Sequence, residues 1–230
     1  MTPTDPDMEA IERRLAAARD LDVERRLAAA RDLDIEPANW RRVTDALAGR
    51  AEAEDLVDVA VERHDSPLGP LLLAATREGV VRLGLPGEDE DAVLDELARR
   101  ISGRVLHAPR ASLGTARHQL DEYFAHGRTR FDVALDWRLT RGFRRDVLTA
   151  TAAIPYGETS SYAQVAALAG SPRAVRAAGT ALATNPLPIL VPCHRVLRSG
   201  GALGAYRGGT EAKRRLLSLE ANGDSGRQWG

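Results

Sequence analysis

The chain has 230 residues, 43% hydrophobic and 28% charged, with a formal net charge of −1, an ordinary soluble-globular composition with room for one large domain or two small ones. One cysteine among them excludes an intramolecular disulfide framework and any multi-cysteine metal site. No apolar run approaches the ~20 residues of a membrane span, and the acidic opening MTPTDPDMEAIERR lacks the pattern of a signal peptide, so a cytoplasmic location is expected.

Charge divides the chain in three. Residues 1–55 hold 9 basic and 14 acidic side chains (net −5), residues 56–137 hold 10 and 14 (net −4), and residues 138–230 hold 13 and 5 (net +8). The last segment is the one suited to a polyanion; an Arg-rich solvated surface is the plainer alternative. In the first, ERRLAAARDLDV (12–23) is repeated as ERRLAAARDLDI (24–35). The residues favour helix, but twelve residues turn a helix by three turns and about 120° more, so the copies face different ways. This predicts an acidic helical extension carrying a tandem duplication.

From residue 56 the apolar pattern takes a period of two: Val57, Val59, Val61; Leu71, Leu73, Ala75; Val81, Leu83, Leu85. The turn-formers DSPLGP and REG separate these runs, which predicts an antiparallel meander. Residues 90–101 place Val93, Leu94, Leu97 and Ile101 on one helical face. A second helix is expected over about 114–126, burying Leu120 and Phe124 or Tyr123, and FDVALDW reads as a further strand closing at Trp137. The class is α+β.

After Thr140, a plausible N-cap, helices are expected over 141–152, 160–169 and about 173–184. The last two flank the turn Gly170-Ser171-Pro172 and make a helix-turn-helix candidate. The second, RAVRAAGTALAT, is rich in small residues, which suits either close approach to another surface or dense helix packing.

The lone thiol lies in NPLPILVPCHRVLRSGGALGAYRGG (185–209). Free cysteine is commonly a small buried hydrophobe, but a preceding proline disfavours a central strand, and polar His194 and Arg195 are costly in a core unless paired. Imidazole and guanidinium neighbours would favour thiolate. On a strand Cys193 and His194 would point to opposite faces, so the pair can cooperate only at a turn, at a helix start or through a bridging water. Glu220, at the end of TEAKRRLLSLE, is the nearest downstream carboxylate able to orient the imidazole.

IPYGETSSYAQVAALAG, RAVRAAGTALATNPLPILVPCHRV and GALGAYRGGTEAKRRLLSLE together resemble the O6-alkylguanine-DNA alkyltransferases (methylated-DNA–protein-cysteine methyltransferases). PCHRV matches that family's active-site box. The resemblance is strong over about 140–221, fainter over 56–137, and absent from 1–55. It implies a small antiparallel-sheet, ribonuclease H-like domain (56–137), then a mainly helical, winged helix-turn-helix-like domain (138–230) that binds DNA and accepts the alkyl group.

The roles it implies are these. Cys193 takes the alkyl group from guanine O6 as a thioether, once per molecule. His194 deprotonates the thiol through a water, Glu220 holds the imidazole, Asn185 buttresses the network, and Tyr162 supplies a proton to the leaving guanine. Pro188, Val196 and Tyr206 line the base pocket. Arg176 fills the stack vacated by the flipped base, and Arg173, Ala177, Thr180 and Arg195 join it in contacting duplex DNA through the minor groove. No cofactor, metal or membrane is implied, and a monomer is expected. Zinc-binding relatives are excluded by the lone cysteine, and lesion binders with tryptophan at the nucleophile position by Cys193. A helix-turn-helix lesion binder or alkylation sensor is the alternative from another class. A Cys-His hydrolase is disfavoured because no oxyanion motif is found.

Overall fold

The computed structural model describes residues 46–225, so the duplication and most of the acidic extension lie outside the described residues. Residues 46–53 are helical. Beyond them come β1 (Val59–His64), β2 (Leu71–Thr76) and β3 (Gly79–Gly84), the expected meander. Next are α1 (Glu90–Arg100), β4 (Val105–His107) and α2 (Ala111–Phe124). The sheet order is β3-β2-β1-β4, with β4 parallel to β1 and the other pairs antiparallel. Asp89 caps α1 by accepting from the backbone of Asp91 and Ala92, and acids in the first turn with arginines in the last complement the helix dipole.

The period-two pattern sends alternate side chains to two faces. Val59, Val61, Leu72 and Ala74 meet Val93 and Leu97 of α1 on one side. Ala60, Leu71, Leu73 and Ala75 meet Leu113, Leu120 and Tyr123 of α2 on the other. All six residues of β2 are buried, so this sheet is covered on both faces. A bulge alters one expectation. Ala74 pairs with Arg82 but Ala75 with Val80, leaving Val81 as the extra residue. Val81 therefore joins the α1 side, whereas Val80, Leu83 and Leu85 join the other.

FDVALDW does not form a regular strand. It makes a single bridge, Val80 to Leu135, closed by Val80 N–H to Ala134 O (2.9 Å) and Asp136 N–H to Val80 O (2.8 Å). The Thr140 cap is also not realised. Its hydroxyl donates to Trp137 O, and α3 (Phe143–Ala152) starts at Gly142, whose φ of 53° suits glycine.

The rest is mainly helical: β5 (Ser160–Ser161), α4 (Tyr162–Leu168), α5 (Val175–Ala183), a 3₁₀ turn (Cys193–Arg195), β6 (Val196–Leu197) and α6 (Gly209–Ser225). Ser161 and Gln164 form a reciprocal capping box on α4. Gly170, at φ 80°, turns the chain from α4 towards α5 as expected of a helix-turn-helix. The described residues from Leu47 to Ser225 belong to one compact unit. A single apolar cluster runs from Leu71 and Tyr123 through Val147 and Val165 to Val191 and Cys193.

Candidate active site

Three backbone features place the thiol. Leu83 N–H of β3 donates to Pro186 O (2.8 Å), docking the segment before the cysteine on the edge of the sheet. Ile189 then takes φ 72°, a conformation that a β-branched residue adopts only under constraint, at a cost of roughly 1–3 kcal/mol. Pro192 ends this turn and Cys193 opens the 3₁₀ helix. The thiol thus sits at a helix start, one of the geometries that let it work with its neighbour. β5 pairs with β6, Ser160 with Val196 and Ser161 with Leu197, tying the start of α4 to the end of the 3₁₀ turn.

Asn185 fastens the turn. Its side-chain oxygen accepts from Leu187 N–H (3.0 Å), and its Nδ2 donates to Val191 O (2.9 Å) and towards Cys193 Sγ (3.1 Å). Cys193 is buried. Burial pushes its pKa up, against smaller lowering effects from Asn185 and Lys213. This corrects the expectation of a thiolate favoured by flanking cations. The group rests as a thiol and needs a base when it reacts.

His194 is fully buried, with Nε2 2.8 Å from Glu220 Oε1. Burial holds its pKa below the ordinary 6.5, outweighing the raising effect of Glu220. Glu220 gathers donors from four residues. Oε1 accepts from His194, from Tyr123 Oη–H (2.7 Å) and from Arg195 Nη2 (2.9 Å); Oε2 accepts from Arg195 Nε (2.9 Å) and Gly157 N–H (3.2 Å). Burial alone would raise this carboxyl, but the bonds from His194 and Arg195 overcome it and lower the pKa to about 2. An ionised Glu220 can only accept, so His194 carries its proton on Nε2. Nδ1 is left with its lone pair, buried and without a hydrogen-bond partner among the described residues. A neutral imidazole with a free acceptor nitrogen is the form a base requires.

Arg195 does not reach the surface as expected. It is 5% exposed, holds Glu220 through two bonds and also donates to Ile154 O. Its role is to neutralise the carboxylate. Residues 194 and 195 are polar in a core, and each is paired, as burial demands.

Tyr162 opens α4 half-buried, its ring beside Gly179 of α5 and its hydroxyl against Gly204. Burial is the main reason its pKa is raised, with Arg198 opposing and Cys193 adding to the rise. Tyr206 stands edge-on to His194 (centroids 6.4 Å, 87°), its hydroxyl buried without a partner among the described residues. Pro188 is buried in the turn that Asn185 fastens. Val196 O accepts from Lys213 Nζ (2.6 Å). On α5 and the turn before it, Arg173, Arg176, Ala177 and Thr180 are all exposed while Ala178, Ala181 and Leu182 are buried, so the four expected contact residues share one open face.

A family model described as 6-O-methylguanine DNA methyltransferase, DNA binding domain, matches residues 142–222, and its ribonuclease-like companion matches 61–137. The constitutive methylated-DNA–protein-cysteine methyltransferase of Bacillus subtilis (strain 168) is 41% identical over 157 residues, which span 68% of this chain and 92% of that protein. The chain belongs to the 6-O-methylguanine DNA methyltransferase family. The methylated-DNA–protein-cysteine methyltransferase of Mycobacterium tuberculosis (strain H37Rv) is 42% identical over 156 residues, 68% of this chain and 88% of its own. A crystal structure of Mycobacterium tuberculosis O6-methylguanine methyltransferase superposes with a TM-score of 0.60 at 38% identity, covering 71% of this chain and 93% of that one. A structure of the mycobacterial protein in complex with DNA gives 0.59, covering 72% and 93%.

The chain is accordingly a DNA alkyltransferase with a DNA-binding segment. Two residues of this methyltransferase site were not singled out by sequence. Tyr123 reads from the sequence only as a candidate core residue. Lys213 is the one lysine of the chain and lies fully buried against Val196; a lone lysine on an otherwise arginine-rich chain is the signal that could have marked it.

Proposed function

We propose that the protein repairs O6-alkylguanine in duplex DNA by moving the alkyl group to Cys193 Sγ, one group per molecule. The observation that carries this is the chain of contacts from Glu220 to a proton-free Nδ1 on His194, the residue that follows a buried thiol fastened by Asn185. In the step, the S–C bond forms as the bond from the alkyl carbon to guanine O6 breaks. The thiol proton passes through a water to His194 Nδ1, and Tyr162 donates a proton to the departing base so that a neutral purine leaves. Val196, Tyr206 and Pro188 wall the pocket that receives the flipped base.

Residues 138–230 are proposed as the domain that binds DNA and reacts, 56–137 as the α/β domain that supports it, and 1–55 as an acidic extension of unassigned role. The exposed face of Arg173, Arg176, Ala177 and Thr180 enters the minor groove, where only small side chains fit closely, and Arg176 fills the vacated stack. A monomer is proposed, as the family resemblance implies. A thiol that must stay reduced supports a cytoplasmic setting.

The test is intact mass before and after incubation with a duplex containing O6-methylguanine, followed by peptide mapping. A single gain of about 14 Da on Cys193, absent in Cys193→Ala although that variant still binds the duplex, is expected. Binding without any mass gain would replace this proposal by a lesion reader.

A further inference from the structure

Glu220 is held by a group from outside the segment that carries the nucleophile. Tyr123 lies on α2, in the ribonuclease-like half, 97 positions before Glu220. Its ring is completely buried among Phe124 (centroids 5.4 Å), Phe131 (5.3 Å) and Tyr156 (6.0 Å). Its hydroxyl donates to Oε1, the oxygen that also takes the His194 proton. Aromatic packing alone would be served by phenylalanine. The hydroxyl is the one polar atom that α2 sends to the carboxylate, and it meets the oxygen used by the dyad.

We propose that Tyr123 is a positioning residue for alkyl transfer, its hydroxyl competing with His194 for Glu220 Oε1 and so setting how tightly the imidazole keeps a proton. This rests on Cys193 being the alkyl acceptor. A donor on Oε1 draws charge from that oxygen. Without it, the carboxylate holds the Nε2 proton more strongly and the imidazole becomes more basic. The ionisable groups around the pair are Arg195 and Cys193 of the 3₁₀ turn, Tyr156 after α3, Tyr206 before α6 and Lys213 of α6. Burial and Glu220 keep the Tyr123 phenol protonated, so it remains a donor throughout the working range. A protonated His194 cannot take the thiol proton, which makes the acid side of the rate profile the place where Tyr123 acts.

The experiment measures the single-turnover rate of methyl transfer from an O6-methylguanine duplex against pH, using the full chain. Tyr123→Phe is expected to shift the acid limb to higher pH, with a rate loss of about threefold or more near pH ~6 that shrinks in alkaline buffer. Its affinity for unmodified duplex stays at the wild-type value. Phe131→Leu trims the packing on the Tyr123 ring without touching Glu220, so it lowers Tm and leaves the limb in place. Replacing Tyr123 by 3-fluorotyrosine, a stronger donor, moves the limb the opposite way and carries the test alone if Tyr123→Phe does not fold. An unmoved limb in Tyr123→Phe overturns the proposal, as does an unmoved limb in the fluorotyrosine protein or an equal shift in Phe131→Leu. Wild-type protein that transfers nothing would instead overturn the proposed alkyl transfer itself.

Discussion

Helix α5, proposed above as the part that meets DNA, and the segment 185–196 lie close in sequence and are built on opposite principles. On α5 and the turn before it, the side chains proposed to meet DNA are exposed and small or flexible: Arg173, Arg176, Ala177 and Thr180. Around Cys193 nearly every polar atom is committed, with Asn185 making three contacts, Arg195 three and Glu220 five. An open face can be altered one contact at a time, whereas a closed network fails as a unit.

Breaking the closed region should therefore cost most. Glu220→Gln leaves the Arg195 guanidinium buried without its counter-charge, and about 3–5 kcal/mol of stability should be lost in urea denaturation together with most of the transfer rate. Acid acts on the same group more gradually. Glu220 has its pKa lowered from 4.5 to about 2, so the stability it contributes is full above 4.5 and is lost as pH falls towards 2. His194, held below 6.5 by burial, adds a loss that starts as pH drops under 6.5, because the unfolded chain takes up that proton first. Urea midpoints measured down this range should fall continuously, and in Glu220→Gln the lower part of the decline should flatten.

Gly204→Ala probes the boundary between the two regions. A Cβ there would overlap the Tyr162 hydroxyl, so the phenol must move. The expected cost is about 1–3 kcal/mol in stability, with a drop in single-turnover transfer and unchanged affinity for unmodified duplex. Arg176→Ala should do the least to the fold, within about 0.5 kcal/mol. It should weaken duplex binding and reduce the slope of log affinity against log salt by about 1. An Arg176 variant that lost several kcal/mol in denaturation would contradict the division between open and closed faces.

The open face was the easier one to read in advance. The helix-turn-helix, its glycine turn and the small residues of α5 are local features with local causes, and they stand within a few residues of where the pattern put them. Cys193, His194 and Glu220 stand out by their chemistry and Asn185 only through a family resemblance, and the 3₁₀ turn puts Cys193 and His194 at a helix start and not on a strand. Arg195, expected from the resemblance as a DNA contact, is instead held inside by a partner 25 positions away, the pairing that a core position demands of it. Tyr123 looked like core because it is core, apart from one atom. β4, three residues long, is too short to show a period, and the bulge at Val81 breaks a period that the residues themselves display.

The chain possesses one thiol and one side-chain amine, and both are shut inside the same interior, Cys193 at 4% exposure and Lys213 at 0%. Reagents selective for either group therefore find their side-chain target only when the molecule opens. Labelling of the pair, read by mass, becomes a built-in clock for the opening of this half of the protein, with no reporter to introduce. Run before and after the proposed alkylation of Cys193, the amine alone would report whether the interior opens at a different rate.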